Sequence, residues 1–214
     1  MSMTDDSKAE RRTQLERRES TRAALIAAGR RLFARDGYEA VSSEQIVAAA
    51  GVTRGALYHH FDGKRGLFAA VFEEIESELV SRFRLEDLTG ADPLAVLIAA
   101  VDQFLELSLE AEVQRIALLD GPSVLGWEAW HEVEARYGLG LLEAGLRAAA
   151  DAGQIPPLPV PELALMLLGA LIEAALGLAR AEDADAARER SGDALRGLLE
   201  GLGELQATAQ RSQS

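Results

Sequence analysis

Between Ser42 and Phe61 the chain carries two short apolar-periodic segments separated by one glycine, and this arrangement leaves little choice of local fold. Ser42 suits an N-cap, and Gln45 three residues later completes a Ser-x-x-Gln capping box. Ile46, Val47 and Ala50 recur at helical spacing as the buried side of a first helix. Gly51 permits the left-handed turn that other residues resist. Val52 fills the corner, Thr53 can cap a second helix, and Leu57 and Phe61 pin that helix to a core. Arg54, Gly55, Tyr58, His59 and His60 are left facing outward. The pattern is a helix-turn-helix.

A buried helical hairpin would show the same apolar spacing with no function attached. The outward face argues against it, because it combines a guanidinium, a phenol, imidazoles and a glycine in place of a solvated Glu/Lys mixture. Arginine pairs bidentately with guanine or with phosphate. Tyr58, His59 and His60 can hydrogen-bond phosphate oxygens, and Gly55 lets the helix backbone approach a groove. Lys64 falls at the start of the next helix, where the macrodipole disfavours a cation, so a phosphate is its expected partner. The face is expected to bind DNA.

The run from Ala50 through Gly51-Val52-Thr53-Arg54-Gly55-Ala56-Leu57-Tyr58-His59-His60-Phe61-Asp62-Gly63 to Lys64 resembles the signature of the TetR family of bacterial transcriptional repressors. The upstream stretch from Ala24 through Arg35-Asp36-Gly37-Tyr38 does so too. The likeness is specific over residues 18–68 and beyond them rests on length and helix order. It implies an all-α homodimer on a palindromic double-stranded operator, released when a small inducer enters the C-terminal domain. It places Arg54 and Gly55 at base edges and Tyr58, His60 and Lys64 on phosphates, with Ser42 and Ser43 at the mouth of the preceding helix. The expected DNA-contacting set is therefore Ser42, Ser43, Thr53, Arg54, Gly55, Tyr58, His59, His60 and Lys64. Glu44 departs from the pattern, standing where a basic or neutral residue is common.

A net charge of −13 looks wrong for such a chain until it is divided. Residues 1–65 hold 12 Lys/Arg against 9 Asp/Glu, and the remainder holds 10 against 26. A basic head on an acidic body orients the molecule toward DNA. No cysteine is present, which excludes disulfides, thiolate metal sites and cysteine nucleophiles. The polar N-terminus has no signal-peptide core, and a cytoplasmic location is expected.

Four regions follow: a flexible tail at 1–18, the helix-turn-helix domain at 19–66, a helical ligand-binding and dimerisation domain at 67–208, and a disordered end at 209–214. The first helix is expected from about Ser20 to Asp36, with Leu25, Gly29, Leu32 and Phe33 buried and Gly37 as its cap. Arg11, Arg12, Arg17 and Arg18 before it read as a solvated tail, or as an arm that orders on DNA. A long helix from Lys64 carries Leu67, Phe68, Val71, Phe72, Ile75, Leu79 and Phe83 on one stripe until Leu88-Thr89-Gly90 breaks it. Asp92 and Pro93 start another, expected to run toward Leu119. Asp120-Gly121-Pro122 interrupts it, and Pro122 can open a short helical segment. A helix from Trp127 to Ala152 follows, and Pro156, Pro157, Pro159 and Pro161 then force an extended connection.

The segment Leu163–Ala179 is apolar nearly all round, but short and interrupted by Glu173, so no membrane span is expected. Leu168, Leu171 and Ala175, with Leu195, Leu198, Leu199 and Leu202 of the last helix, are expected to form a two-fold four-helix dimer interface; closure of an intrachain core is the alternative. Phe104, Leu107, Trp127, Trp130 and Met166 are the expected lining of a pocket for an apolar or aromatic ligand, though core packing competes for the tryptophans. His131 with Glu134 or Glu128 lacks the second histidine of a zinc-hydrolase helix, so neither metal nor cofactor is expected. With no phosphate loop or nucleophile elbow, the carboxylates read as solvated faces and the chain is not expected to be an enzyme. A helical adaptor with a vestigial head is the remaining alternative.

Overall fold

The computed structural model describes residues 3–83 and 92–212, and among them no strand occurs. The described chain is all-α, as the periodicity requires. It divides into two compact units, Met1–Glu74 and Ile75–Ser214. The division falls inside a continuous helix and not at 66/67.

The first unit holds α1 (Met3–Asp36), α2 (Ser43–Ala50), α3 (Arg54–His60) and the first part of α4 (Gly63–Ser81). Its core is Leu25, Ile26, Ala28, Phe33, Ile46, Leu57, Leu67, Phe68, Val71 and Phe72, all buried. Leu32 and Val47 are only half-buried. Phe68 forms an edge-on pair with Phe33 at 5.3 Å and another with Tyr38 at 5.2 Å. α1 approaches α4 closely at Gly29, where a Cβ would meet Leu67 Cδ2 at 3.0 Å. Gly37 (φ 78°) turns the chain out of α1.

The expected tail at 1–18 is a correction: α1 begins at Met3, not near Ser20. Residues 3–19 contain neither glycine nor proline and are rich in Arg and Glu, both strong helix formers. The disordered end expected at 209–214 is corrected over 209–211, where the last helix continues to Arg211, and residues 213–214 lie outside the described residues.

The second unit contains the rest of α4, then α5 (Pro93–Leu107), a π-helical segment (Val113–Asp120), α6 (Gly121–Leu125), α7 (Trp127–Asp151), α8 (Val160–Arg180) and α9 (Ala184–Arg211). α4 stops at Ser81, so Phe83 lies just beyond it. The expected break at Leu88-Thr89-Gly90 lies outside the described residues. Asp92 caps α5 by accepting from the Ala95 N–H at 3.0 Å, and Pro93 opens it. The helix does not continue to Leu119. Ser108 Oγ donates to its own helix at the Phe104 carbonyl, 2.8 Å away, and α5 ends one residue earlier.

In the π-helical segment the Gly121 N–H reaches back to the Ile116 carbonyl, and the Ala117 carbonyl accepts the Trp130 indole N–H at 2.9 Å. Gly121 is obligatory there, because a Cβ would lie 2.8 Å from the Trp130 ring. α5 and α7 meet at Gly145, where a Cβ would stand 2.9 Å from Leu97. α9 is tied to α5 by Arg196–Asp102 at 2.8 Å and Arg188–Glu106 at 3.2 Å. α8 is long and apolar enough to cross a membrane by length and composition. Its buried face, including Ala164, Leu168, Leu171 and Ala175, belongs to the core of this unit.

Candidate nucleic-acid interface and ligand cavity

Local signals in α2 and α3 fix where the outward side chains go. Ser42 Oγ accepts from the Gln45 N–H at 3.2 Å, and Gln45 Oε1 accepts from the Ser42 N–H at 2.7 Å, closing the capping box. Gly51 takes the left-handed conformation (φ 67°), and Thr53 Oγ1 caps α3 through the Ala56 N–H at 3.3 Å. Leu57 is fully buried, so the opposite side of α3 faces solvent. Burial of that leucine is worth about 1.5–3 kcal/mol, enough to seat a helix of this length against the core.

Ser42, Thr53, Arg54, Gly55, Tyr58 and His59 are exposed, while Ser43 and His60 are half-buried. Arg54 reaches Glu44 of α2 at 2.9 Å and lies 5.7 Å from the centre of the Tyr58 ring. Glu44 thus holds the guanidinium in the absence of a partner. An exposed pair of this kind contributes only about 0–1 kcal/mol, so a phosphate or a guanine edge can displace it. No side chain covers Gly55: a Cβ there would have Thr53 Oγ1 as its nearest neighbour, at 3.8 Å. Burial, then His59, Arg18 and Arg22, hold His60 below the usual imidazole range.

Lys64 differs from expectation. Its Nζ donates to the Tyr38 and Val41 carbonyls, each at 2.9 Å, and lies 3.9 Å from the Tyr38 ring centre. The cation at this helix start is therefore explained by carbonyls and a π face within its own unit, so its position no longer requires a phosphate.

The second unit contains a cavity of about 320 Å³ between the end of α4, α5, α7 and α8. Leu79, Val80, Phe83, Leu97, Phe104, Leu142, Leu168 and Leu171 give it an apolar wall. Of the expected lining, only Phe104 takes part. Trp130 is fully buried and committed to Ala117, Trp127 is 55% exposed, Met166 is 72% exposed, and Leu107 lies outside the wall. Trp127 instead stacks on His131 with centroids 5.7 Å apart.

The wall also holds two glutamates that the sequence reading did not place in a pocket, Glu76 and Glu134. Each is 7% exposed. Burial pushes Glu76 up to about 7 and raises Glu134 well above the usual carboxyl range, the Glu76 charge adding to the second shift. Their signal was positional: Glu76 interrupts the stripe Phe72–Leu79, and Glu134 follows the buried Trp130 by one helical turn. Among the described residues no group of three or more potential ligands is placed to hold a metal.

The expected dimer residues also sort differently. Leu168, Leu171, Ala175, Leu195 and Leu199 are buried within the single chain, and Leu202 is half-buried. The exposed apolar side chains of α8 and α9 are Leu165 (52%), Met166 (72%), Leu198 (65%) and Leu205 (62%). Both helices carry leucines on more than one face, and the inward faces close the unit's own core.

A family model described as bacterial regulatory proteins, tetR family, matches residues 25–71, and one described as tetracyclin repressor-like, C-terminal domain, matches residues 94–202. The crystal structure of a TetR-family transcriptional regulator from Pectobacterium atrosepticum is similar, with 36% identity, 87% of this chain and 96% of that one covered, and a TM-score of 0.79. The transcriptional regulator TtgR of Pseudomonas putida is 38% identical over 110 residues, covering 50% of this chain and 51% of its own length. The regulator AcrR of Shigella flexneri is 36% identical over 110 residues, covering 50% of each. The chain thus spans about half the length of these curated relatives. The relatives are transcriptional regulators, not enzymes. With both its N-terminal and its C-terminal parts matched, the chain belongs to the TetR family of bacterial regulatory proteins.

Proposed function

We propose that this protein is a homodimeric, cytoplasmic transcriptional repressor that binds a palindromic operator and leaves it when a small apolar molecule fills the cavity of the second unit. The observation that carries this reading is the solvent-facing side of α3, where Arg54, Gly55, Tyr58 and His59 stand exposed on a helix capped by Thr53 and anchored by Leu57. In a two-fold dimer the two α3 helices read major grooves roughly 34–36 Å apart. Arg54 and Gly55 meet base edges. Tyr58, His60 and the hydroxyls of Ser42, Ser43 and Thr53 position the backbone.

The exposed Leu165, Met166, Leu198 and Leu205 support the dimer, since apolar side chains of this size are protected by a second copy. Ligand control is supported by α4, which carries core residues of the first unit and cavity-lining residues of the second on one continuous helix. A ligand that binds one arrangement of this helix better than another shifts the population of DNA-competent dimers.

Selection of bound duplexes from a random pool tests the reading. Convergence on a palindrome, with affinity for it falling by about 0.9 log units per log unit of salt for each neutralised phosphate, is the expected result. Failure to enrich any sequence overturns it in favour of the helical adaptor.

A further inference from the structure

The wall of the cavity is apolar on α5 and α8 except for Gln103, whereas α4 and α7 each place a glutamate in it. Glu76 and Glu134 are both more than nine-tenths buried. Among the described residues neither has a hydrogen bond or an ion pair with a cation, although this chain pairs many of its surface carboxylates with arginines. Two unpartnered carboxyls in an apolar wall are a cost to the ligand-free fold, and an ordinary core would place leucine or methionine at both positions.

We propose that Glu76 and Glu134 are the recognition pair for an apolar organic cation, a small molecule whose hydrocarbon or aromatic body fills the cavity and whose single protonated amine lies between the two carboxyls. The proposal rests on the ligand-responsive reading above and names the ligand class for that site.

The chemistry matches in charge. Two carboxyls lining one poorly solvated cavity resist joint ionisation, and no cation of the described residues offsets the negative charge that the pair does carry. One ammonium neutralises it and has three donors for the carboxyl oxygens. A neutral alcohol offers one donor and no charge, and a carboxylate brings repulsion. At about 320 Å³ the cavity is at the small end of ligand sites, which run from roughly 300 to 1,000 Å³. A ligand of one aromatic ring with a short aminoalkyl chain suits it.

Titration calorimetry on the full chain, with phenylbutylamine, phenylbutanol and phenylbutyrate as probes, tests the assignment near neutral pH. These probes share one apolar body and differ in charge. The amine should bind about tenfold or more tighter than the alcohol, and the acid weakest. E76Q/E134Q, with unchanged shape and circular dichroism to verify folding, should bind amine and alcohol within about twofold of each other. E134Q alone should lie between.

Equal binding of amine and alcohol to the wild type, no binding of any probe, or an amine preference that survives the double substitution would each overturn the proposal. The last would show that the amine sits on the acidic surface. Operator enrichment is measured without any probe, so it distinguishes a failed ligand assignment from a failed regulator.

Discussion

Arg54 and Glu44 show how one residue can tune an interface without touching its partner. If Arg54 meets a base as proposed, their 2.9 Å pair must open first, and a carboxylate is then left near the phosphates. Glu44→Ala should therefore raise operator affinity severalfold, within the range of about 0–1 kcal/mol for an exposed pair, as read by fluorescence anisotropy. Unchanged or weaker binding would mean that the pair orders Arg54 for DNA. Lys64→Ala should lower the melting temperature of the free protein, because it leaves the Tyr38 and Val41 carbonyls without their donor, at a cost of about 1–3 kcal/mol. A lysine that served phosphate alone would leave the free protein's melting point unmoved.

Glu76 gives a prediction with a definite sign in pH. Burial raises its carboxyl from 4.5 to about 7, so over that interval the folded chain keeps a proton that the unfolded chain has released. Its contribution to stability is complete below pH 4.5 and is lost as pH rises through about 7. The titratable group facing it is Glu134 of α7, and the lining residues from α5 and α8 add none. Glu76→Gln should thus become more stable than the wild type as pH rises through this window, by on the order of 1–3 kcal/mol at the top. Parallel melting curves for the two proteins would refute it.

At the scale of elements, the turn between α2 and α3 determines where the reading face points. Gly51 holds φ at 67°, a conformation that strains any residue with a Cβ. Gly51→Ala should cost about 1 kcal/mol or more and weaken operator binding beyond the loss in stability, since a relaxed turn re-aims α3. Loss of stability with full affinity for DNA would show that the turn is only structural.

What was legible in the sequence follows the reach of the interactions. Ser42 with Gln45, Thr53, Gly51 and Asp92 act on neighbours within a few residues, and each cap or turn expected of them is present. Lys64 depends on carbonyls 26 and 23 residues away, a distance at which a helix-start lysine gives no local clue. α5 ends at Leu107, just before Ser108, and an apolar pattern continuing toward Leu119 conceals that end. Residues 3–19 combine high charge with high helix propensity, and composition alone reads such a stretch as a tail. Trp130 could be read as pocket lining or as core, and the Ala117 carbonyl that accepts its indole N–H decides for the core. Glu76 passed as a solvated helix charge and Glu134 was weighed only as a metal ligand beside His131, until the cavity showed where they stand.

For the whole molecule, α8 is apolar on several sides, so its leucines could be divided between core and interface only once the chain was folded. The buried Leu168, Leu171, Ala175, Leu195 and Leu199 belong to the core, and Leu165, Met166, Leu198 and Leu205 are the exposed apolar side chains that the proposed dimer would cover. Leu198→Glu should convert the proposed dimer to a monomer in light scattering and abolish tight operator binding, because one half-site supplies only part of the contacts. A monomeric variant that binds the operator as tightly as the wild type would separate dimerisation from recognition.

On the proposed reading, the exposed side of α3 reads base sequence. Its most direct test is to select duplexes from one random pool with the wild type and with Arg54→Ala in parallel. The wild type should yield a palindrome, and the variant the same palindrome with the preference lost at one base position in each half-site, equivalent to about 1–3 kcal/mol of discrimination. Identical motifs from the two proteins, or no motif from either, would contradict it.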